Sequence, residues 1–109
     1  MDIEVKEEVE IGSFTYRIIA NKENDFDLRA DSLSGDHSFL KKEIRVITDI
    51  GEDHFNNSFL HEVGHAIDRM YLGGSLEENE IAGMANGYHQ LFKQLGINFV
   101  VSRKELKEV

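Results

Sequence analysis

The chain has 109 residues, 40% apolar and 30% charged, with 21 acidic against 12 basic side chains and a formal net charge of −9. Length and composition predict one soluble globular domain over 1–109 with a single modest core, and the surplus of acid argues against direct nucleic-acid binding. Cysteine is absent, so no disulfide framework is possible, and any zinc must be held by histidine and carboxylate, the donor set of catalytic sites more than of closed structural ones.

The opening MDIEVKEEVEIG is acidic and alternating. It has neither the basic nor the apolar region of a signal peptide, and no apolar run nears the length of a bilayer span. The expected location is the cytoplasm, with no membrane partner. IEVKEEVEI (3–11) alternates, and SFTYRIIAN (13–21) is rich in aromatic and β-branched residues; together they predict a hairpin through Gly12-Ser13. From Asn21 to about Lys42 the chain is polar and turn-prone, with Gly35-Asp36 as its clearest turn signal, and reads as loop with room for one short helical turn. EIRVITDI (43–50) is expected to form a third strand.

The second half reads as helical. The first helix is expected from about Asp53 to Leu72, closed by Gly73-Gly74, with Phe55, Phe59, Val63, Ala66, Ile67 and Met70 as its buried stripe. The second is expected from near Ser75, where SLEE pairs Ser75 with Glu78 as a capping box, to about Leu95, with Gly96 as its stop. Ile81, Met84, Ala85, Tyr88, Leu91, Phe92 and Leu95 share one side of it, and Tyr88 is expected in the core. The tail INFVVSRKELKEV reads as a short strand or docked segment followed by a frayed charged end. The fold class is therefore α+β: a small N-terminal sheet of about three strands packed on two main helices.

The chemistry concentrates in SFLHEVGHAIDRMY (58–71). On a helix, i and i+4 lie on one face, so His61 and His65 can aim ring nitrogens at one ion about 2 Å away. Glu62, one position round, is placed to take a proton from a water on the open side of the metal. This is the working content of His-Glu-x-x-His. The competing reading is a solvated face, since His54, Ser58, His61, His65 and Asp68 all fall opposite the apolar stripe. Gly64 tells against it: mid-helix glycine costs about 1 kcal/mol relative to alanine, which makes sense where something must come close.

A catalytic zinc needs a third protein ligand, and the turn at Gly73-Gly74 makes the second helix its expected donor. Helical phase alone selects Glu77. Glu80 is favoured instead because Gly83 and Gly87 follow it at i+3 and i+7, a smooth lane for close approach of a helix backbone. Glu78 comes third because the capping box occupies it. Asp68 is expected to orient an imidazole from behind or to pair at the surface. Tyr71, Tyr88 and His89 are candidate donors to an oxyanion, while His37, His54 and His89 read as ordinary polar histidines.

With HEVGH on a helix, a carboxylate-rich second helix and a small sheet ahead of them, residues 40–96 resemble a reduced gluzincin metallopeptidase. FLHEVGHAID followed by SLEENEIAGMANGYHQLFKQLG resembles, more narrowly, the short phage- and prophage-type metallopeptidases related to the ImmA/IrrE family. The resemblance implies that His61 and His65 bind Zn2+, that Glu62 is the general base, and that a glutamate of the next helix completes the site in an E-x-x-A-like setting. Placing Gly83 on that alanine gives Glu80; placing Met84 to Asn86 on the alanine-asparagine step gives Ala82. It further implies that EIRVITDI rims the cleft, where a substrate adds as a strand. The substrate class implied is a peptide or protein, a cytoplasmic transcriptional repressor by analogy with larger relatives. The alternative is a zinc-binding interaction protein of low or no activity on the same scaffold. Neither substrate identity nor oligomeric state is fixed by these residues.

Overall fold

The computed structural model describes residues 1–101. The elements run β1 (Asp2–Glu4), β2 (Glu8–Ile11), β3 (Phe14–Ile19), α1 (Lys22–Ala30), β4 (Gly35–Ser38), β5 (Glu43–Val46), α2 (Glu52–Tyr71), α3 (Glu78–Gln94) and β6 (Asn98–Val100). The fold is α+β, as the sequence pattern predicts, with more pieces than it predicts. The frayed end expected after residue 101 lies outside the described residues.

β2 and β3 form the expected hairpin, Ile11 opposite Phe14, with Gly12 at φ +67 in the turn. IEVKEEVEI is not one strand. Val5 is buried and donates its backbone N–H to Val100 O at 2.8 Å, which draws β1 into a parallel pair with β6. The main sheet is ordered β2-β3-β5-β4, with β3 and β5 parallel and β4 antiparallel on the outer edge of β5. A parallel pair needs a crossover connection, and α1 supplies it.

The stretch from Asn21 to Lys42, read above as loop, therefore holds a helix and a strand. Helix α1 has an Asn21 cap accepting from Asn24 N at 2.8 Å, acid in its first turn and Arg29 in its last. Its buried face is Asn24, Asp25 and Leu28, two of them polar, so no apolar period announces it. Asn24 Nδ2 donates to Ile19 O at 3.1 Å, and Asp25 Oδ1 accepts from Thr48 N at 2.8 Å. Leu28 and Ile47 are buried where α1 meets β5. β4 (GDHS) contains no apolar residue; it is held by its ladder to β5 and by the Arg45 pair, whose Nε donates to Asp36 Oδ1 at 2.8 Å.

α2 lies against the sheet and supplies most of the helical side of the core. Tyr16, Ile18, Ile44 and Val46 pack with Phe55, Phe59 and Ala66, and Val63, Met70 and Phe99 close the edges. Ile67, expected in that stripe, instead lies half-exposed on the α3 side. α3 buries only Ile81 and Ala85 fully. Tyr88, Met84, Leu91 and Leu95, expected on the buried side, are about half-exposed or more.

The cap of α3 falls two residues later than expected, and this decides the site. Asp68, buried near the end of α2, accepts Leu76 N at 3.1 Å on its carboxylate, while its carbonyl accepts Leu72 N and Gly74 N. Those bonds pin 72–76 outside the helix. The capping box consequently forms between Glu77 and Glu80, not Ser75 and Glu78, with Glu80 Oε1 accepting Glu77 N at 2.8 Å.

Candidate metal centre

Helix α2 carries His61 and His65 one turn apart, as the spacing predicts, with their side chains 20% and 28% exposed. Their Nε2 atoms face each other at 3.2 Å. Opposite them stands the carboxylate of Glu78, the first residue of α3: Oε1 lies 2.5 Å from His61 Nε2, and Oε2 lies 2.9 Å from His65 Nε2. The three side chains each offer a ligand atom, all within 4.8 Å of one another, the group among the described residues that can share an ion.

This corrects the expected third residue. Glu80 does not face the imidazoles, because its carboxylate caps the backbone of its own helix. Glu77 is the cap itself, outside the first turn. Glu78 shares the α2-facing side of α3 with Ala82 and Ala85, at i+4 and i+7. The glycine lane also plays no part, since a Cβ on Gly83 or Gly87 would meet nothing within 4 Å. The close approach is at Gly64, where a Cβ would lie 3.2 Å from Ile81 Cγ2. Gly64 therefore lets α3 settle onto α2 three residues after Glu78.

The donor set suits zinc. Two nitrogens on one tetrahedral ion at about 2.0–2.1 Å stand roughly 3.3 Å apart, close to the observed 3.2 Å, while the Glu78 oxygens, at 2.5 and 2.9 Å from the nitrogens, would have to draw back to share the ion. Two imidazoles and one carboxylate are a known donor set for a catalytic site with an open position.

Glu62 lies against β4 and feels the charge of Glu78. A Cβ on Gly35 would lie 3.2 Å from its Cγ and 3.4 Å from its Oε2. Burial first, then the negative charges of Asp36 and Glu78, push its carboxyl up to about 7. A carboxyl poised near neutrality beside a candidate ligand set is the condition general acid–base work requires.

His37 also belongs here, although its sequence context gave no sign beyond a polar stretch ahead of a strand. From β4 its ring runs nearly parallel to that of His65, centroids 6.3 Å apart, and to that of Tyr16 at 5.7 Å. Its Nε2 is 3.3 Å from the Tyr16 hydroxyl. Burial, then His65 and Arg69, lower its pKa, with Asp36 opposing, so the ring is neutral at neutral pH.

The remaining candidates lie elsewhere. Asp68 serves the α2–α3 turn and bonds no imidazole among the described residues. The Tyr71 hydroxyl accepts Gly12 N at 2.9 Å, His89 stands 3.5 Å from Asp53, and Tyr88 runs alongside Phe92. His54 is exposed near the start of α2. The rim of the site is β4, not the EIRVITDI strand, because β5 is enclosed between β3 and β4. A cavity of about 740 Å³ lies at the far end of the helix pair, bounded by Asp53, His54 and His89, and no candidate ligand group falls within it. A cleft of about 630 Å³ adjoins His65. Among the described residues, no helix is long and apolar enough to cross a membrane. No family model, curated protein or solved structure matches the chain, so the chemistry of the site is argued from its own geometry.

Proposed function

We propose that the chain is a zinc-dependent peptidase in which His61, His65 and Glu78 hold the metal and Glu62 moves the proton. The observation that carries this reading is the convergence of three ligand atoms within 4.8 Å next to a carboxyl raised to about 7. When bound, zinc supplies a Lewis acid that makes a water acidic enough to lose its proton near neutral pH. Glu62 would accept that proton and return it to the leaving amine. The β4 edge offers free backbone groups along which an extended peptide can lie. His37 on that strand lines the cleft beside His65.

A second reading, a metal-holding interaction protein without turnover, draws support from the apolar side chains of Ile67, Leu72, Met84 and Tyr88, which remain half-exposed around an α2–α3 groove. Two measurements separate the readings. Elemental analysis of untagged protein is expected to find one zinc per chain in wild type and none in His65→Ala. Mass spectrometry of a peptide library incubated with the zinc-loaded protein is expected to show cleavage that Glu62→Gln abolishes while keeping its zinc. Zinc without cleavage removes the peptidase reading; no zinc in wild type removes both.

A further inference from the structure

The chain carries a large excess of acid, yet next to the candidate metal centre two cations stand without a carboxylate. Arg69 and Lys42 take part in none of the ion pairs among the described residues. Both address one ring. The Arg69 guanidinium lies 4.5 Å above the centroid of Phe39, and Lys42 Nζ lies 3.9 Å from the same centroid. The nearby Asp68 carboxylate is buried and committed to Leu76 N.

Arg69, Phe39 and Gly74 line a cleft of about 630 Å³ together with His37, Ser38, Asp68 and His65, whereas Lys42 lies outside that lining and donates its Nζ to Phe39 O at 2.6 Å. Its volume is in the range that small ligands and side chains occupy. The cleft is continuous with the metal triad through His65 and with the β4 edge through His37 and Ser38. A guanidinium stacked on an aromatic face keeps its N–H edges free for two parallel bonds to a carboxylate. The influence of Arg69 reaches Tyr16 and His37, both of which feel it as a positive charge.

We infer that this cleft is a carboxylate-binding subsite, in which Arg69 holds a carboxylate of an extended peptide lying across His61, His65 and Glu78. The inference rests on the peptidase reading for the peptide's placement and adds its substrate class: acidic at the position beyond His65. The carboxylate belongs either to an internal Asp or Glu or to a chain terminus. A lysine there meets the like charge of Arg69 and is disfavoured.

The test uses zinc-loaded Glu62→Gln, which binds without cutting, and fluorescence anisotropy with N-terminally dansylated Gly-Gly-Ala-X-Ala-Gly. X is Asp, Ala or Lys with an amidated terminus, and a fourth peptide has X as Ala with a free terminus. The Asp peptide, the free-terminus peptide or both should bind about ten-fold tighter than amidated Ala, and which of them does identifies the source of the carboxylate. Adding Arg69→Ala, or Arg69→Gln as a second variant, should erase that preference. Arg69→Lys should restore part of it, a distant Lys22→Ala should leave it intact, and raising salt should shrink it. Equal affinity for all four peptides, no measurable binding, or a preference that survives both neutral Arg69 variants overturns the subsite. Wild-type cleavage of the same peptides keeps the two claims apart. Cleavage indifferent to carboxylate removes the subsite and leaves the peptidase; Arg69-dependent binding with no cleavage removes the peptidase and leaves the subsite.

Discussion

Gly35 of β4 and Glu62 of α2 are locked against each other: a Cβ on Gly35 would stand 2.9 Å from Arg45 O and 3.2 Å from Glu62 Cγ. The first contact is backbone and has nowhere to go, so Gly35→Ala must shift either the β4–β5 ladder or the Glu62 side chain. Crowding of this kind costs about 1–3 kcal/mol. Gly35→Ala should therefore lower the denaturation midpoint and, under the peptidase reading, cut turnover more than zinc affinity. A variant that matches wild type in urea unfolding and in turnover would show that the contact is slack.

Glu78 and Glu80 are close in sequence and should behave oppositely. Glu78→Gln removes one candidate donor, so zinc affinity should fall at least ten-fold, with little change in the stability of the metal-free chain because its side chain is 66% exposed. Glu80→Gln keeps an acceptor for Glu77 N and should leave zinc affinity unchanged, while Glu80→Ala loses the capping bond and costs about 0.5–1 kcal/mol. Calorimetric titration with zinc, beside thermal unfolding in chelator, reads both quantities. Equal loss of zinc from Glu78→Gln and Glu80→Gln would mean that the α3 register differs from the one described.

That pair also marks where the sequence stops being informative. The β2–β3 hairpin, the apolar stripe of α2 and the His61/Glu62/His65 face were legible because each is a local period or turn signal. Helix α1 and strand β4 were not, because α1 buries Asn24 and Asp25 beside a single leucine, Leu28, and β4 is made of half-buried polar residues and a glycine, held by specific hydrogen bonds and ion pairs that leave no hydrophobic rhythm. The third carboxylate was misplaced for a tertiary reason. Ser75-x-x-Glu78 is a sound capping signal by itself, but Asp68 claims Leu76 N from eight residues earlier and delays the helix. Glu78 and Glu80 are two positions apart, and at 100° per residue they face nearly opposite sides of α3. A small error in a helix start thus exchanges a solvent-facing carboxylate for a candidate ligand.

The raised pKa of Glu62 implies a pH dependence for the metal-free protein. The folded value, about 7, lies above the ordinary 4.5, so between those values the folded chain holds a proton that the unfolded chain releases. Stability then falls as pH rises through this window, by ~1–3 kcal/mol once Glu62 is fully ionised. Glu62→Gln cannot ionise and should escape the loss. In chelator, the variant should unfold several degrees above wild type at pH 8 and close to it at pH 5. Parallel curves for the two proteins from pH 5 to 8 would place the titration elsewhere.

Asp68 offers a way to separate support of the turn from support of a ligand. Its carboxylate is buried and accepts Leu76 N at 3.1 Å; its distance from His65 in sequence, i+3, would equally suit an imidazole partner. Asp68→Ala leaves a buried backbone donor unpaired, which costs about 1–3 kcal/mol. It also frees residues 72–76, so Glu78 loses its fixed approach and zinc affinity should fall along with stability. Asp68→Asn is the discriminating change. Its amide oxygen can still accept Leu76 N, so both the turn and the position of Glu78 should survive, with zinc affinity within about three-fold of wild type. Were the negative charge itself polarising an imidazole, Asp68→Asn would lose ten-fold or more in zinc affinity, the scale of such outer partners, at nearly unchanged stability. The turn role predicts that affinity and stability decline together in Asp68→Ala and are both retained in Asp68→Asn, a pattern that zinc titration and urea unfolding of the two variants resolve directly.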